Sequence, residues 1–405
     1  MRYFRILISD PKTGEILVPN YQGRPGFTRV PANTSLSTYT SLNSGKAVTD
    51  LFATNPAAQM VELDIPVGPL HTPIANGYVR IHGVGLQEIA QASNLGGLNI
   101  AIFGGMASGL PLASPSQAGP LAMGLVFRAF GNWVGTSQTL DIYISAGGDS
   151  PSSNQTTGNP PTNNTLPVPA TNKDGSNLVF QWNDGQQLLP PLVQCISTAY
   201  PQYRIRGSVS QNLVWHGQAA TGVFTTLENL AKYINRATLN LLGGFAPNLK
   251  TYQGVSIVLQ HNEIIISDGS VQTAPKPLAF QDLIGQPTYY GVGEVQATLV
   301  MRGDLTVASF VTLPPSLSTI QAGAVIPTAQ NADAYSEVKN ASAFTGTFLI
   351  TSMRHVGNSR QAHGAAWATT IQLGQIRSPL STVTAYPVLY KPQGLSFYMP
   401  GATSK

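Results

Sequence analysis

The sequence predicts a mainly β protein that carries an α+β domain between two β-rich regions. Short runs of alternating polar and apolar residues recur along most of the chain, as expected for half-buried strands. Gly and Pro, at 40 and 30 residues, are frequent enough to end many short strands. Helical periodicity is concentrated in residues 178–285. We therefore expect residues 1–148 to form an N-terminal β-rich domain and residues 286–376 to form a second one.

The N-terminal region opens with a hairpin whose turn is residues 10–14, where Pro11 presets φ and Gly14 supplies a positive φ. Residues 20–57 are polar and predict a long, irregular arm. Further predicted elements are strands over 60–65, 78–82, 98–103, 122–130 and 138–145, and a short helix over 86–93. The Gly-rich loop 104–113 lacks the GK[ST] ending of a phosphate-binding loop, so packing against a neighbouring subunit is favoured.

Residues 149–177 are rich in Pro, Asn and Thr and nearly devoid of apolar residues, which predicts a linker. The α+β domain, 178–285, follows in the predicted order β-α-β-α-β-β. Its first helix, 188–199, has Pro190 and Pro191 in the first turn, and its second opens with a capping box from Thr225 to Glu228.

The second β-rich domain has four predicted strands whose spacing is typical of a small β-barrel. They are residues 294–299, 305–313, 346–357 and 367–373, and the second of them stops at Pro314. Residues 377–405 alternate Pro with Val, Leu, Tyr and Phe, which predicts an extended C-terminal arm strapped onto a partner.

Composition favours a subunit that is covered by partners. Charged residues are 10% of the chain, against about 25% in typical soluble domains, and interface centres are likewise poor in charge. A neutral, turn-rich β protein is the alternative. The net charge of +4 without basic runs argues against sequence-specific nucleic-acid binding. The apolar runs are too short for a membrane span, so a soluble cytoplasmic product is expected.

No residue pattern predicts catalysis, so we expect no enzyme and no catalytic, cofactor-binding or metal-binding residue. The single cysteine, Cys195, lies among apolar residues and is expected to be a buried structural thiol. Metal-ligand spacing is missing around the six histidines, which are His71, His82, His216, His261, His355 and His363. The glutamates weighed as candidates carry no surrounding signature; they are Glu88, Glu228, Glu294 and Glu337. Arg354 and His355 could form a functional pair, but a strand end with its polar groups facing solvent or a neighbour is favoured.

Residues 296–307, 346–357 and 367–371 are similar to the barrel of baseplate hub proteins from contractile-tailed bacteriophages, the tail hub or late-control-like family. Residues 84–95, 103–106 and 115–119 resemble tail proteins of large lytic phages. The likeness covers most of residues 60–375. The linker and the C-terminal arm depart from that pattern.

The resemblance implies a homotrimer in which residues 1–148 and 286–376 of each chain are two small tube-like β-barrels. The resulting pseudo-sixfold ring would adapt the sixfold tail tube to the threefold central spike and leave a central channel. Implied partners are other copies of the chain, the spike protein and the tail tube or tube-initiator protein, with tape measure and baseplate wedge proteins as further candidates. The protein would be part of the virion baseplate, assembled in the bacterial cytoplasm, without a cofactor. Two alternatives are a tail-tip cell-wall hydrolase and a carbohydrate-binding tail adhesin.

Overall fold

The computed structural model describes residues 2–20, 26–31, 36–70, 76–108, 114–145, 178–201, 203–243, 252–291, 294–314, 347–363, 366–375, 381–383 and 387–392. Strands hold 48% of these described residues and helices 15%. The strands form large, mostly antiparallel sheets. The mainly β class predicted from the sequence is therefore confirmed, while the predicted linker 149–177 lies outside the described residues.

The elements fall into three regions along the chain. The first contains β1 (Arg2–Ser9), β2 (Ile16–Pro19), β3 (Phe27–Val30), β4 (Tyr39–Thr40), β5 (Val61–Val67), β6 (Asn76–His82), α1 (Leu86–Ala90), β7 (Asn99–Met106), β8 (Gly119–Val134) and β9 (Ser137–Ser145). The middle contains β10 (Leu178–Trp182), α2 (Leu189–Ala199), β11 (Arg204–Ser208), β12 (Ala220–Phe224), α3 (Leu227–Gly243), β13 (Ser256–Gln260), β14 (Glu263–Ser267), β15 (Val271–Thr273) and β16 (Lys276–Pro277). The last contains β17 (Thr288–Gly291), β18 (Glu294–Val300), β19 (Phe310–Thr312), β20 (Thr347–Asn358), β21 (Trp367–Gln375), β22 (Ser381–Val383) and β23 (Val388–Tyr390). Short 3₁₀ turns occur at Ala92–Leu95, Pro115–Gln117 and Phe280–Asp282.

One sheet of 15 strands joins the first and last regions. Its main path runs β17-β18-β21-β20-β5-β6-β9-β8-β7-β1-β2-β3. The link is β20, a 12-residue strand that pairs with β19 at its start and with β5 from Met353 to Asn358. Within the described residues the strand pairs close no ring and one sheet runs through both β-rich regions, so the two small barrels expected from the sequence are not confirmed. The sheet is shared because β20 is long enough to pair beyond its own region.

Two large apolar cores lie against this sheet, and a small cluster of Leu7, Ile16, Ala101 and Met123 lies on the opposite side of β1, β2, β7 and β8. The larger contains side chains such as Ile6, Ile81 and Ile142 of the first region, together with Met301 and Trp367 of the last. The second is built mainly from the last region and takes in Val67, Leu70 and Val258 from elsewhere in the chain. The cores therefore share residues across the predicted domain boundaries, which remain predictions.

The middle region packs α2 and α3 against two small sheets around a third core. Helix α3 begins one residue later than predicted, because Thr226 rather than Thr225 accepts the capping hydrogen bond, from the Asn229 backbone N–H at 3.2 Å. An unpredicted strand, β12, pairs with β10. Cys195 is buried, as expected, and burial raises the pKa of its thiol to about 11.

Two predicted segments differ from the structure for identifiable reasons. The predicted strand 305–313 is reduced to β19, because Ala308 has φ of 65° and the Val307 N–H donates to the Gln260 side chain at 2.8 Å instead of to a strand. The predicted irregular arm 20–57 contributes β3 and β4 to the sheet. Hydroxyl groups assist there, since the backbone N–H of Ile8 donates to Thr38 Oγ1 at 2.8 Å.

The described part of the C-terminal arm lies on its own chain. Strand β23 extends the small sheet by pairing with β11, and the Tyr390 hydroxyl donates to the Pro201 carbonyl at 3.2 Å. Strand β22 pairs with β15. No helix in the described ranges has the length and apolar character needed to cross a bilayer.

Candidate assembly surface

The most extended polar surface is the side of the large sheet that faces away from the two cores; we call it the outer face. Strand register places its residues in rows that cross β20, β5, β6, β9 and β8. One row contains Val356, Asp64, Tyr78, Tyr143 and Arg128. The next contains Asn358, Glu62, Arg80, Asp141 and Phe130. Strand alternation thus puts polar and aromatic side chains on one side and core residues on the other.

Asp141 is the centre of a polar network on this face. Arg80 donates to both of its oxygens, Nε to Oδ1 at 2.7 Å and Nη2 to Oδ2 at 3.0 Å. Asn132 Nδ2 donates to Oδ2 at 2.8 Å and the Tyr78 hydroxyl to Oδ1 at 3.2 Å. The Arg80 pKa is raised by its hydrogen bonds to Asp141, and burial together with that carboxylate raises the pKa of Tyr78 to about 12. The network holds three neighbouring strands in one geometry, with its charges neutralised in place.

A second bidentate pair spans β20 and β5. Arg354 donates to Asp64 through Nε to Oδ1 at 2.8 Å and Nη2 to Oδ2 at 2.6 Å. These hydrogen bonds raise the pKa of Arg354. His355, the next residue, points to the opposite side and is fully buried. The structure therefore separates the two residues, and the expectation that both face solvent or a neighbour is wrong for His355.

Aromatic side chains follow the network toward the β8–β9 hairpin. The Tyr143 ring lies 5.1 Å from that of Tyr78 and 6.0 Å from that of Phe130, measured between centroids. Phe130 is 49% exposed, and at the end of the hairpin Trp133 and Val134 are 63% and 76% exposed. Exposed apolar groups in contact with one another are typical of surfaces that bind a partner.

A buried ionic cluster, centred on Arg302 and called the junction cluster below, joins the segment that follows β18 to the segment that precedes β8. Arg302 donates to Asp282 through Nη1 to Oδ2 at 3.0 Å and to Asp304 through Nε at 2.9 Å and Nη2 at 2.8 Å. Gln117, from the first region, donates its side-chain N–H to Asp282 at 2.8 Å and accepts from the Gly303 N–H at 2.9 Å. A Cβ at Gly303 would lie 2.3 Å from the Gly119 carbonyl oxygen, so only glycine fits this approach.

Glu88 and Glu228, two of the glutamates that were weighed as catalytic candidates, form hydrogen bonds or ion pairs within the fold. Glu88 is buried beneath α1, where it accepts hydrogen bonds from the Gly85 N–H at 3.1 Å and the Tyr39 hydroxyl at 2.6 Å, and burial raises its pKa. Glu228 forms an i,i+4 ion pair with Lys232. No group of three or more potential metal ligands occurs among the residues that the structure describes. His71 and Glu337 lie outside those residues. The expectation of no catalytic, cofactor or metal residue remains a prediction.

The Gly-rich loop is partly a strand. Residues 104–106 belong to β7, and Gly104 and Gly105 lie against Leu121 and Ala118, where a Cβ would clash. Close packing explains these two glycines without a bound phosphate. Residues 109–113 are outside the described part of the chain, so the predicted packing against a neighbouring subunit remains a prediction.

Sequence reasoning missed the Asp141 network and the junction cluster. Alternation within 78–82 and 138–145 did indicate which side chains share a face, but the pairing of Arg80 with Asp141 joins residues 61 positions apart. Arg302, Gly303 and Asp304 lie between the predicted strands 294–299 and 305–313, where the sequence indicates no more than a turn. A buried arginine between two aspartates leaves no local signal in a turn sequence.

No protein-family model and no curated protein matches the chain. Several solved structures are similar to it. The 43 kDa tail protein of prophage MuSo2 from Shewanella oneidensis is 9% identical with a TM-score of 0.40, over 78% of this chain and 97% of that one. A tail protein from Neisseria meningitidis MC58 is 8% identical with a TM-score of 0.42, over 94% and 99%. The lidded PdpA-VgrG complex of Francisella is 9% identical with a TM-score of 0.38, over 96% of this chain and 55% of that one. Likenesses this distant assign no role by themselves.

Proposed function

We propose that this chain is a non-enzymatic structural subunit of a contractile phage tail or a related injection machine, and that it serves as the baseplate hub. In this role three copies form a ring of two tube-like units each, which adapts a sixfold tube to a threefold spike around a central channel. The observation that carries the proposal is the single two-faced sheet, which runs through both β-rich regions and is closed on one side by the cores.

The outer face has the properties that a channel wall needs. Two of its arginines, Arg80 and Arg354, are already paired with Asp141 and Asp64, so a passing polymer meets a polar surface on which much of the charge is neutralised. The two outermost strands of the sheet path are also available for assembly, because β17 and β3 each pair with one strand among the described residues. Such edges can pair with strands of another subunit. The resemblance of residues 296–307 and 346–357 to hub proteins supports the same role.

Light scattering on the purified chain, alone and co-expressed with the spike or tube protein of the same tail, tests the proposal. We expect a trimer, or a monomer that becomes a trimer when a partner is present. Val134→Lys, at the exposed hairpin end, is expected to weaken the trimer. Val223→Lys, a similarly exposed valine of the middle region, is expected to leave it intact. A chain that stays monomeric and binds neither the spike nor the tube protein would contradict the hub role.

A carbohydrate-binding tail adhesin is the second candidate. The exposed ring contacts of Tyr143 with Tyr78 and Phe130 favour it, since sugar rings stack on aromatic side chains. An adhesin would bind host-envelope glycans as the isolated chain. An internal hub would not bind them, so glycan binding by the monomer separates the two functions.

A further inference from the structure

A groove with a volume of about 400 Å³ lies on the surface of the middle region, away from the large sheet. One wall is a stripe of α3 and the other is the loop that precedes β12. Its lining includes Trp215, His216, Tyr233, Arg236, Ala237 and Leu241. The volume falls in the range of small-ligand and peptide-side-chain sites.

The walls of the groove are held by contacts behind them. The Trp215 ring lies 5.0 Å from that of Trp182, and its Nε1–H donates to the Gln218 carbonyl at 2.7 Å. The Tyr233 ring lies 5.0 Å from that of Phe224. The opposite stripe of α3, which includes Leu230 and Ile234, is buried in the third core. Because both walls are fixed, the groove is formed before any ligand arrives.

The groove is mostly apolar and carries positive charge. The Arg236 guanidinium forms no ion pair or hydrogen bond with the part of the chain that the structure describes, and the exposed His216 lines the same groove. Two nearby acids are already engaged: Glu228 pairs with Lys232, and Asp184 accepts from the Gly217 N–H at 3.0 Å. None of the lining side chains is acidic. The Arg236 guanidinium is therefore the group with which a carboxylate from outside the chain can pair.

We propose that this groove binds a segment of a partner protein in which an aromatic or aliphatic side chain stands next to a carboxylate. The apolar side chain lies between Trp215 and Tyr233, and the carboxylate accepts the paired N–H groups of Arg236. The stripe from Tyr233 to Leu241 contains nine residues and spans about 12 Å of helix. That length matches about four residues of extended peptide. The site goes beyond the hub role, because it would capture a partner whether or not the chain forms a ring.

Isothermal titration with two peptides tests the site. The probes are the acetylated, amidated pentapeptide Gly-Phe-Glu-Leu-Gly and its counterpart with glutamine in place of glutamate. We expect the acidic peptide to bind the full chain about fivefold more tightly than the amide, as for an exposed charge pair. Arg236→Gln should remove that difference. Lys232→Gln, which deletes an equal charge one turn earlier on α3, should preserve it.

A groove-filling variant, Ala237→Trp, should abolish binding of both peptides, with circular dichroism confirming that the variant is folded. Equal affinity of the wild-type chain for the two peptides would overturn the proposal. So would the absence of binding by either, or an unchanged preference in Arg236→Gln. Light scattering remains a separate readout, so failure of this site would leave the hub role standing.

Discussion

Replacing Arg302 by methionine is expected to destabilise the fold by about 3 to 5 kcal/mol, because it leaves a buried carboxylate without its counter-charge. Arg302 and Asp282 are 3% and 2% exposed. In the variant, Asp282 would retain only the N–H groups of Gln117 and Ala279, at 2.8 and 2.9 Å. The free energy of unfolding, measured by urea denaturation, gives the loss directly.

Arg354→Met is the matched control. The Arg354–Asp64 pair is bidentate, like that of Arg302 with Asp304, but is exposed, at 59% and 40% for the two side chains. Solvent screens such a pair, so we expect a loss of no more than about 1 kcal/mol. Similar losses in the two variants would show that burial does not make the junction cluster more important to stability than an exposed ion pair.

Acid is expected to destabilise the protein through two histidines, His355 and the half-buried His261. His355 is fully buried; its Nδ1 lies 2.9 Å from Thr369 Oγ1, and its Nε2 has no hydrogen-bond partner among the residues that the structure describes. Burial, with a contribution from His261, lowers the pKa of His355 to about 3. Burial also lowers the pKa of His261 to about 4, against a hydrogen bond with the Leu121 backbone. Both rings are neutral in the folded protein at pH 5.

The sign of this pH effect follows from the linkage between proton binding and unfolding. In the unfolded chain both histidines bind a proton below about pH 6.5, whereas in the folded chain they do not, so their stabilisation is present above that pH and is lost as the pH falls. From pH 7 to pH 5 the two together should lower the free energy of unfolding by about 4 kcal/mol. The loss continues until the folded pKa values are reached.

His355→Leu isolates this effect. Thr369 Oγ1 keeps a donor in the variant, because the Arg302 N–H lies 3.0 Å away. The drop in stability between pH 7 and pH 5 should shrink by about 2 kcal/mol, roughly half. His216→Leu, at an exposed position, should leave the drop unchanged. An equally steep pH dependence in His355→Leu would contradict the assignment of a neutral, buried imidazole.

Local patterns predicted most strands of the large sheet but not their assembly. Alternation in 294–299, 346–357 and 367–373 gave β18, β20 and β21 nearly to the residue. The pairing of β20 with β5 joins residues nearly 300 positions apart. It carries one sheet through both regions that were expected to form barrels. Nothing within either strand specifies that pairing, because it depends on which edges remain free after the rest of the chain has folded.

Polar side chains explain the remaining differences. The Gln260 side chain accepts the Val307 N–H in place of a neighbouring strand, and the predicted strand 305–313 is shortened. The Thr38 hydroxyl accepts the Ile8 N–H in the same way, and the predicted irregular arm 20–57 lies against β1. The outer face could be anticipated from alternation, whereas its charge pairs could not. Arg354 and His355 show the limit, since adjacent residues of one strand point to opposite sides.

Electron microscopy of the chain co-expressed with its spike protein tests the central claim most directly. The hub role predicts ring-shaped particles with threefold symmetry, six lobes and an open centre lined by the outer face that carries Arg80 and Arg354. Particles without a central opening, or single chains with that face exposed to solvent beside the spike, would contradict it.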